Sequence, residues 1–280
     1  MVGRTKARTE ASEPMTGRPY GSAFPVLTVA DMVRAQRAFL REALGIERLH
    51  AVAGGSLGGM QGLEWAVTHP DAVRGVVGIA TTPAIGAQGL ALNAAARNAI
   101  MSDPDWQGGN YYGTGRAPRA GITVARQLGH ISYLSWMAME EKFGRRLQDR
   151  EEPSYTLGEA DFEVESYLRY QGATFADRFD ANTYLIISRA LTYFDLARSH
   201  GNGSLEEAVR KLAADVLLVS FSSDWLYPPR DSERLAQALR AAGKRVEHHE
   251  IDTTYGHDSF LLEEARQTPM VRDFLERLAE

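Results

Sequence analysis

One serine lies among glycines in the stretch AVAGGSLGGM, residues 51–60, and the spacing Gly54-x-Ser56-x-Gly58 is typical of a nucleophile on a sharp turn. Such a turn joins a strand to a helix, and its flanking residues must be small so that the chain folds back without collision. A β-like run precedes this serine, and a helix-like run that stops at Pro70 follows it. The context favours Ser56 as a nucleophile over the alternative, a small residue in a glycine-rich turn that serves close packing or phosphate binding.

A serine hydroxyl needs a general base, and the base needs a carboxylate that orients it. In α/β-hydrolase folds these partners follow the serine in the order Asp or Glu, then His. The loop SFSSDWLYPP places Asp224 just past a predicted strand, and IDTTYGHDSF places His257 after the next one. Because parallel strands end at a common edge of the sheet, we expect Ser56, Asp224 and His257 to form a catalytic triad.

The remaining candidates for base and acid are less well placed. Five histidines lie inside a predicted strand, at a helix end or in a helical insertion, where packing or surface roles are expected: His69, His130, His200, His248 and His249. Three aspartates begin a strand, cap a helix or close a strand: Asp215, Asp231 and Asp252. The alternative for Asp224 by itself is a loop aspartate that accepts backbone N–H bonds.

Short apolar strands that alternate with helices would position these side chains. Thr28 and Asp31 indicate a capping box at the start of a helix that ends at Gly45. Strands separated by helices predict a parallel sheet built from βαβ units, which is the α/β class. The predicted strands are residues 48–54, 73–82, 215–224 and 245–252.

The hydrophobic pattern divides the chain into an arm, a core and an insertion. Residues 1–27 lack periodicity and are interpreted as an arm or coil, and residues 28–82 and 206–280 as the α/β core. The segment 83–205 carries helical runs without a clear strand. A helical insertion on such a core commonly acts as a lid over the carboxyl ends of the strands.

Composition narrows the class of partner. The 280 residues carry a net charge of -5, which argues against a nucleic-acid or anionic-membrane protein and favours a small-molecule substrate. Cysteine is absent, so we expect no disulfide framework and no zinc-finger site, and no metal is predicted. The polar N-terminal stretch, interrupted by Pro14 and Pro19, does not resemble a secretory signal, and no apolar run is long enough to span a membrane. A cytoplasmic protein is expected.

Several motifs between about Gly17 and Leu262 also resemble those of a known family. The homoserine O-acetyltransferase family of α/β-hydrolase-fold acyltransferases is similar in GRPYGSAFPVLTVADMVRAQRAFL, GIERLHAVAGGSLGGMQGLEWAVTHPDAV, SDPDWQGGNYYG, GHISYLSWMAMEEKFGRRLQD, FEVESYLRYQG, FADRFDANTYL, SFSSDWLYPP and YGHDSFLLE. The resemblance implies that acyl-CoA acylates Ser56 and that the hydroxyl of homoserine then attacks the acyl-enzyme, with His257 as base and then acid. It also implies a role in methionine biosynthesis, with acetyl-CoA as co-substrate and no other cofactor.

The same resemblance implies an acceptor site and a dimer. Arg126 and Tyr133 would hold the homoserine carboxylate, which suits a planar guanidinium with paired donors, and Asp258 would take the ammonium. Residues seven apart lie on one face of a helix, so Arg126 and Tyr133 can point into one pocket. Without the family, the alternative is a surface arginine and a core tyrosine. The family pairs through its lid helices, so a homodimer is expected.

The oxyanion hole marks a departure from the family. One donor is the N–H after the nucleophile, here that of Leu57, and the second comes from a loop after an earlier strand. About fifty residues precede the strand before Ser56, and they supply one helix and an arm. We therefore expect the chain to be N-terminally truncated relative to the family, without the upstream strands and the second donor.

Several alternatives share the same triad. Related enzymes use succinyl-CoA as donor or serine as acceptor. A serine ester hydrolase differs only in whether water is excluded from the acyl-enzyme. The missing strands raise one further alternative, a non-catalytic remnant.

Overall fold

A parallel sheet of four strands organises the chain. The structure, a computed structural model, describes residues 12–279. Neighbouring strands end within two residues of one another: Gly55 pairs with Ile79, and Ile79 pairs with Val219, two residues before the third strand ends at Phe221. Their carboxyl ends therefore share one edge, and the predicted α/β fold with a parallel sheet is confirmed. Within residues 12–279, the strands in sheet order are β1 (Leu49–Gly55), β2 (Val73–Ile79), β3 (Asp215–Phe221) and β4 (Val246–Ile251).

Helices connect the strands. In chain order they are α1 (Val29–Leu44), α2 (Leu57–Thr68), α3 (Ala87–Met101), α4 (Arg119–Tyr133), α5 (Trp136–Lys142), α6 (Glu163–Ala176), α7 (Ala181–Tyr193), α8 (Leu196–His200), α9 (Leu205–Val209), α10 (Pro229–Ala241), α11 (Ser259–Leu262) and α12 (Glu264–Arg277). Helices α3 to α8 occupy the segment predicted to be helical, and the structure describes no strand there. None of the helices described is long and apolar enough to cross a membrane.

Helices cover both faces of the sheet. Leu218 of β3 packs in one apolar cluster with Leu63 of α2 and Leu235 of α10. The next residue towards the N-terminus, Leu217, packs in a second cluster with Phe274 of α12. Because successive side chains of a strand point to opposite faces, a strand buried on both faces is a continuous apolar run, as DVLLVSF is.

The described residues form two compact units. The first comprises residues 12–26, 90–132 and 136–189, and its apolar cluster includes Ile100 and Ile122. The second comprises residues 27–89, 133–135 and 190–279 and contains the whole sheet. The predicted division into an arm, a core and a helical lid uses other boundaries and stays a prediction. The first eleven residues of the predicted arm, and residue 280, lie outside the described part of the chain.

The predicted capping box begins α1. The Asp31 N–H donates to Thr28 Oγ1 at 3.1 Å, and the Thr28 N–H donates to Asp31 Oδ2 at 2.8 Å. Hydrogen bonds from the Thr28 side chain and backbone lower the pKa of Asp31. The helix ends at Gly45, whose φ of 67° is the left-handed conformation that glycine adopts without strain. Both signals expected from the sequence therefore define α1.

Replacing Thr28 by Ala is expected to lower the free energy of unfolding by about 1 kcal/mol at pH 7. A carboxyl group whose pKa is lowered on folding stabilises the fold above its unfolded pKa, about 3.9 for aspartate, and loses that effect as the pH falls through its folded pKa. The loss caused by Thr28→Ala should therefore shrink between pH 7 and pH 3. Urea unfolding at both pH values measures it, with the exposed Thr268→Ala of α12 as control. An equal loss at both pH values contradicts the role given to Asp31.

Candidate active site

Ser56 occupies a strained turn between β1, which ends at Gly55, and α2, which begins at Leu57. Its φ of 54° and ψ of -118° lie in a region that residues with a side chain rarely adopt. A Cβ atom at Gly54 would collide with the backbone of Gly58, so the first glycine of the motif is required by close approach. The predicted strand–turn–helix context of the serine is present.

Two hydrogen bonds join this turn to the chain after β2. The Ser56 N–H donates to Ile79 O at 2.8 Å, and the Thr81 hydroxyl donates to Ser56 O at 2.9 Å. The backbone on both sides of the nucleophile is therefore fixed to the neighbouring strand. Such over-determination is what allows a strained residue to persist in a folded chain.

The structure brings Ser56, His257 and Asp224 together as a continuous hydrogen-bonded chain. His257 Nε2 lies 3.0 Å from Ser56 Oγ, and His257 Nδ1 lies 2.7 Å from Asp224 Oδ2. The side chains of His257 and Asp224 are 4% and 0% exposed. Because a carboxylate only accepts hydrogen bonds, Nδ1 carries the proton of the neutral ring and Nε2 accepts the serine proton. This is the geometry of an activated serine nucleophile.

Asp224 uses its two oxygens for different purposes. Oδ2 binds the histidine, whereas Oδ1 accepts the N–H groups of Leu226 at 3.0 Å and Tyr227 at 2.9 Å. Asp224 therefore makes both the histidine contact expected of a triad member and the backbone contacts expected of a loop aspartate. The turn that it stabilises orients its own carboxylate.

The loop of His257 is held by a glycine and a serine. Gly256 has a φ of 74°, and a Cβ atom there would collide with the backbone N of Ser135. The Gly256 N–H donates to Ser223 Oγ at 2.9 Å, in the loop that also carries Asp224. Glycine is therefore required for the turn that brings the histidine to the aspartate.

Three aromatic rings surround the His257 imidazole. Tyr227 lies 4.9 Å away and nearly perpendicular, Phe260 lies 5.4 Å away, and Tyr133 lies 6.1 Å away, between ring centroids. Tyr133 was predicted as a substrate residue, whereas no role for Tyr227 or Phe260 was predicted. The signal for Tyr227 was present in DWLYPP, where an aromatic residue stands three positions after the aspartate and before two prolines.

The other predicted site residues lie on three elements. Arg126 and Tyr133 are both on α4, two turns apart, and the Arg126 guanidinium lies over the Phe175 ring at 4.8 Å. Asp258 follows His257 in a short 3-10 turn. Leu57 is the first residue of α2, where a backbone N–H has no acceptor within the helix. The substrate and oxyanion roles of these residues stay predictions.

The histidines set aside in the sequence have structural neighbours. His248 Nε2 lies 2.9 Å from Ser220 Oγ on the adjacent strand. His200 Nε2 lies 3.0 Å from a carboxylate oxygen of Glu64, which is buried in α2. Among residues 12–279, no group of three or more histidine, aspartate or glutamate side chains is arranged to hold a metal ion.

Comparison of the sequence with known proteins identifies relatives. Residues 2–264 match the alpha/beta hydrolase fold family. The chain is 53% identical to the homoserine O-acetyltransferase of Solidesulfovibrio magneticus over 265 residues, 95% of this chain and 66% of that protein. It is 53% identical to the homoserine O-succinyltransferase of Bordetella pertussis over 268 residues, 95% of this chain and 64% of that protein. The chain thus spans about two thirds of the length of the curated relatives it matches.

Solved structures agree with these relatives. The homoserine O-acetyltransferase of Bacillus anthracis superposes with a TM-score of 0.88 at 30% identity, covering 95% of this chain and 70% of that one. Esterase E22 gives a TM-score of 0.86 at 27% identity, covering 96% and 72%. Among the relatives found by sequence, the homoserine O-succinyltransferase of Burkholderia pseudomallei is 51% identical, and the match covers 96% of this chain and 71% of that protein. By sequence and by fold, the chain belongs to the homoserine O-acetyltransferase family of α/β-hydrolase-fold proteins, alongside its O-succinyltransferase members.

Proposed function

We propose that this protein is a homoserine O-acetyltransferase, which moves an acetyl group from acetyl-CoA to the hydroxyl of L-homoserine through an acyl-serine intermediate. The observation that carries the proposal is the hydrogen-bonded chain from Ser56 through His257 to Asp224. This arrangement supplies the nucleophile and the general base that acyl transfer needs. Relatives at 53% identity are named as homoserine O-acetyltransferase and homoserine O-succinyltransferase. No cofactor is required besides acetyl-CoA as co-substrate.

In the first half-reaction, Ser56 Oγ attacks the thioester carbonyl while His257 Nε2 takes the hydroxyl proton. The tetrahedral intermediate carries a negative oxygen, and we assign its binding to the Leu57 N–H at the start of α2. The carbon–sulfur bond then breaks, and CoA leaves as a thiol with the proton from His257. Asp224 stabilises the imidazolium that exists between these two proton transfers.

In the second half-reaction, the homoserine hydroxyl attacks the acyl carbon and gives its proton to His257 Nε2. The bond from the acyl carbon to Ser56 Oγ breaks, O-acetylhomoserine leaves, and the proton returns to the serine. The same imidazole thus serves both halves, and the protein ends as it began.

The acceptor would be recognised by the charges of its amino-acid end. We assign its carboxylate to Arg126 and Tyr133 and its ammonium to Asp258. The position of Tyr133 supports this, because its ring lies 6.1 Å from the ring of His257, the residue that must receive the acceptor proton. An arginine two turns earlier on the same helix supplies a bidentate donor for a carboxylate.

A second candidate function is ester hydrolysis. Its support is the likeness to esterase E22, whose TM-score of 0.86 approaches that of the Bacillus anthracis acetyltransferase. Among the transferases, the O-acetyltransferase and O-succinyltransferase relatives are equally similar, at 53% identity. Succinyl-CoA is therefore the alternative to acetyl-CoA, the proposed donor. Serine in place of homoserine is the alternative acceptor.

We also propose the wider setting that the family implies. The protein acts in methionine biosynthesis in the cytoplasm, as a homodimer formed through the helices of residues 83–205, which serve as the lid. The net charge of -5 supports a small-molecule enzyme without a nucleic-acid partner.

Replacing Ser56 by Ala is expected to abolish acetyl transfer, lowering the rate by about 10³-fold or more, because no other group can form the acyl-enzyme. Thiol release from acetyl-CoA, with and without L-homoserine, measures it. Ser199→Ala, an exposed serine on α8, is the matched control and should keep the parent rate. Thiol release that does not need homoserine favours the hydrolase, and activity retained by Ser56→Ala contradicts both candidate functions.

Replacing Arg126 by Ala is expected to raise the KM for homoserine about 10- to 100-fold, since a charge-assisted hydrogen-bonded pair with the carboxylate is lost. Initial rates over a range of homoserine concentrations measure the change. Arg119→Ala on the same helix is the control, because Arg119 pairs with Asp177 at 2.6 Å and has no proposed substrate contact. An unchanged KM for homoserine in Arg126→Ala means that the acceptor site is wrongly assigned.

A further inference from the structure

A short segment, Tyr133–Ser135, spans the end of α4 and the turn before α5 and belongs to the compact unit that contains the sheet. Leu134 lies just past the last residue of α4, so its carbonyl has no donor within that helix. The indole N–H of Trp225, the residue after Asp224, donates to this carbonyl at 2.8 Å. The segment is therefore hydrogen-bonded to the loop of the proposed acid.

The same segment packs against the loop of the proposed base. The Ser135 hydroxyl donates to Thr254 O, three residues before His257. A Cβ atom at Gly256 would collide with backbone atoms of all three residues of the segment. Backbone therefore lies directly against backbone, and a shift of the segment would either break a hydrogen bond or create a clash.

Trp225 is carried on the turn that orients the acid. Asp224 Oδ1 accepts the N–H groups of the two residues that follow Trp225, those of Leu226 and Tyr227. An indole has one N–H, which lies in the plane of the ring and can only donate. Its hydrogen bond to Leu134 O therefore defines the separation between the acid turn and the end of α4. One turn thus orients the histidine through its aspartate and holds the segment through its tryptophan.

Tyr133 is the residue of this segment whose side chain approaches the base. Its ring lies 6.1 Å from the His257 ring, at an angle of 39° between the ring planes. The hydroxyl of an acceptor must reach His257 Nε2 while the amino-acid end of the acceptor is bound. Because reacting groups have to be held in a narrow range of distances, the separation of these two side chains must match the length of the acceptor.

We propose that Trp225 is a positioning residue for the acceptor: its indole N–H, through Leu134 O, holds Tyr133 at the separation from the base that the amino-acid acceptor requires. The serine motif and the chain order of the triad give Trp225 no role, since its hydrogen bond joins residues 91 positions apart. The inference rests on the proposed function, transfer to homoserine. It adds a residue that acts through Tyr133 and does not itself touch the substrate.

Two kinetic constants separate the acceptor from the nucleophile. The kcat/KM for p-nitrophenyl acetate reports acylation of Ser56, whereas kcat/KM for L-homoserine at saturating acetyl-CoA reports capture of the acyl-enzyme by the acceptor. Trp225→Phe keeps an aromatic ring and removes the N–H. We expect kcat/KM for L-homoserine to fall about fivefold through a higher KM, the equivalent of one hydrogen bond. The constant for p-nitrophenyl acetate should keep the parent value.

Trp65→Phe is the matched control. Trp65 is 1% exposed and donates its indole N–H to Gln36 Oε1 at 2.9 Å, so the control loses the same kind of hydrogen bond. It should lower the thermal midpoint and leave both constants at the parent values. An unaltered kcat/KM for L-homoserine in Trp225→Phe overturns the inference. An equal fall in both constants also overturns it, because Trp225 then acts on the triad or on the amount of folded protein.

A second variant separates the hydrogen bond from the packing of the ring. Benzothienylalanine in place of Trp225 keeps the size and shape of the indole and has sulfur where the indole has N–H. A fall in kcat/KM for L-homoserine alone supports the inference, also where Trp225→Phe does not fold. Unaltered constants in this variant overturn it.

The inference and the proposed function fail in different ways. A parent protein that transfers to L-homoserine with the same kcat/KM as Trp225→Phe keeps the proposed function and overturns the role of Trp225. A parent protein that transfers to L-serine and not to L-homoserine overturns the proposed acceptor, and the same comparison with serine then decides on Trp225. A parent protein that transfers to neither acceptor overturns both, whether or not it cleaves the ester.

Discussion

The site depends on one strained residue. Ser56 has a φ of 54° although it carries a side chain, and a conformation of this kind costs about 1–3 kcal/mol. The cost is offset locally, because the Ser56 N–H donates to Ile79 O at the end of β2 and the Ser56 carbonyl accepts from Thr81, two residues beyond that end. The sheet therefore does more than support the loops. Its second strand holds the nucleophile in a conformation that the serine would not adopt alone, and the partner side chains are arranged around that fixed point.

Short loops position Asp224 and His257 through local hydrogen bonds. Asp224 binds His257 with one oxygen and its own loop with the other, so the carboxylate cannot rotate without losing backbone hydrogen bonds. His257 follows Gly256, whose left-handed conformation and close contact with the backbone of Ser135 leave no room for a side chain. Orientation in this site thus comes from short local turns attached to rigid strands, which is the arrangement that acyl transfer requires of a preorganised base.

The sequence located the three side chains that meet at the strand ends more accurately than it located the ends of the strands. Ser56, Asp224 and His257 could be found because a glycine pattern, chain order and loop placement each leave a local trace. The predicted strands 73–82 and 215–224 were three residues too long at their carboxyl ends, since β2 stops at Ile79 and β3 at Phe221. There the chain turns away with Thr81 bound to Ser56, a long-range contact without a periodic signal. Tyr227 was not predicted although DWLYPP places it three residues after Asp224, and Arg126 was identified only through the family.

The backbone of position 56 also gives this position a meaning for molecular evolution. Glycine adopts a φ of 54° freely, so a lineage released from the need for a nucleophile would relieve the strain by exchanging serine for glycine. The neighbouring stretch is already rich in glycine. A serine that is maintained there is maintained against a gain in stability. Among chains of this fold, the residue at this turn would therefore record whether selection still acts on catalysis.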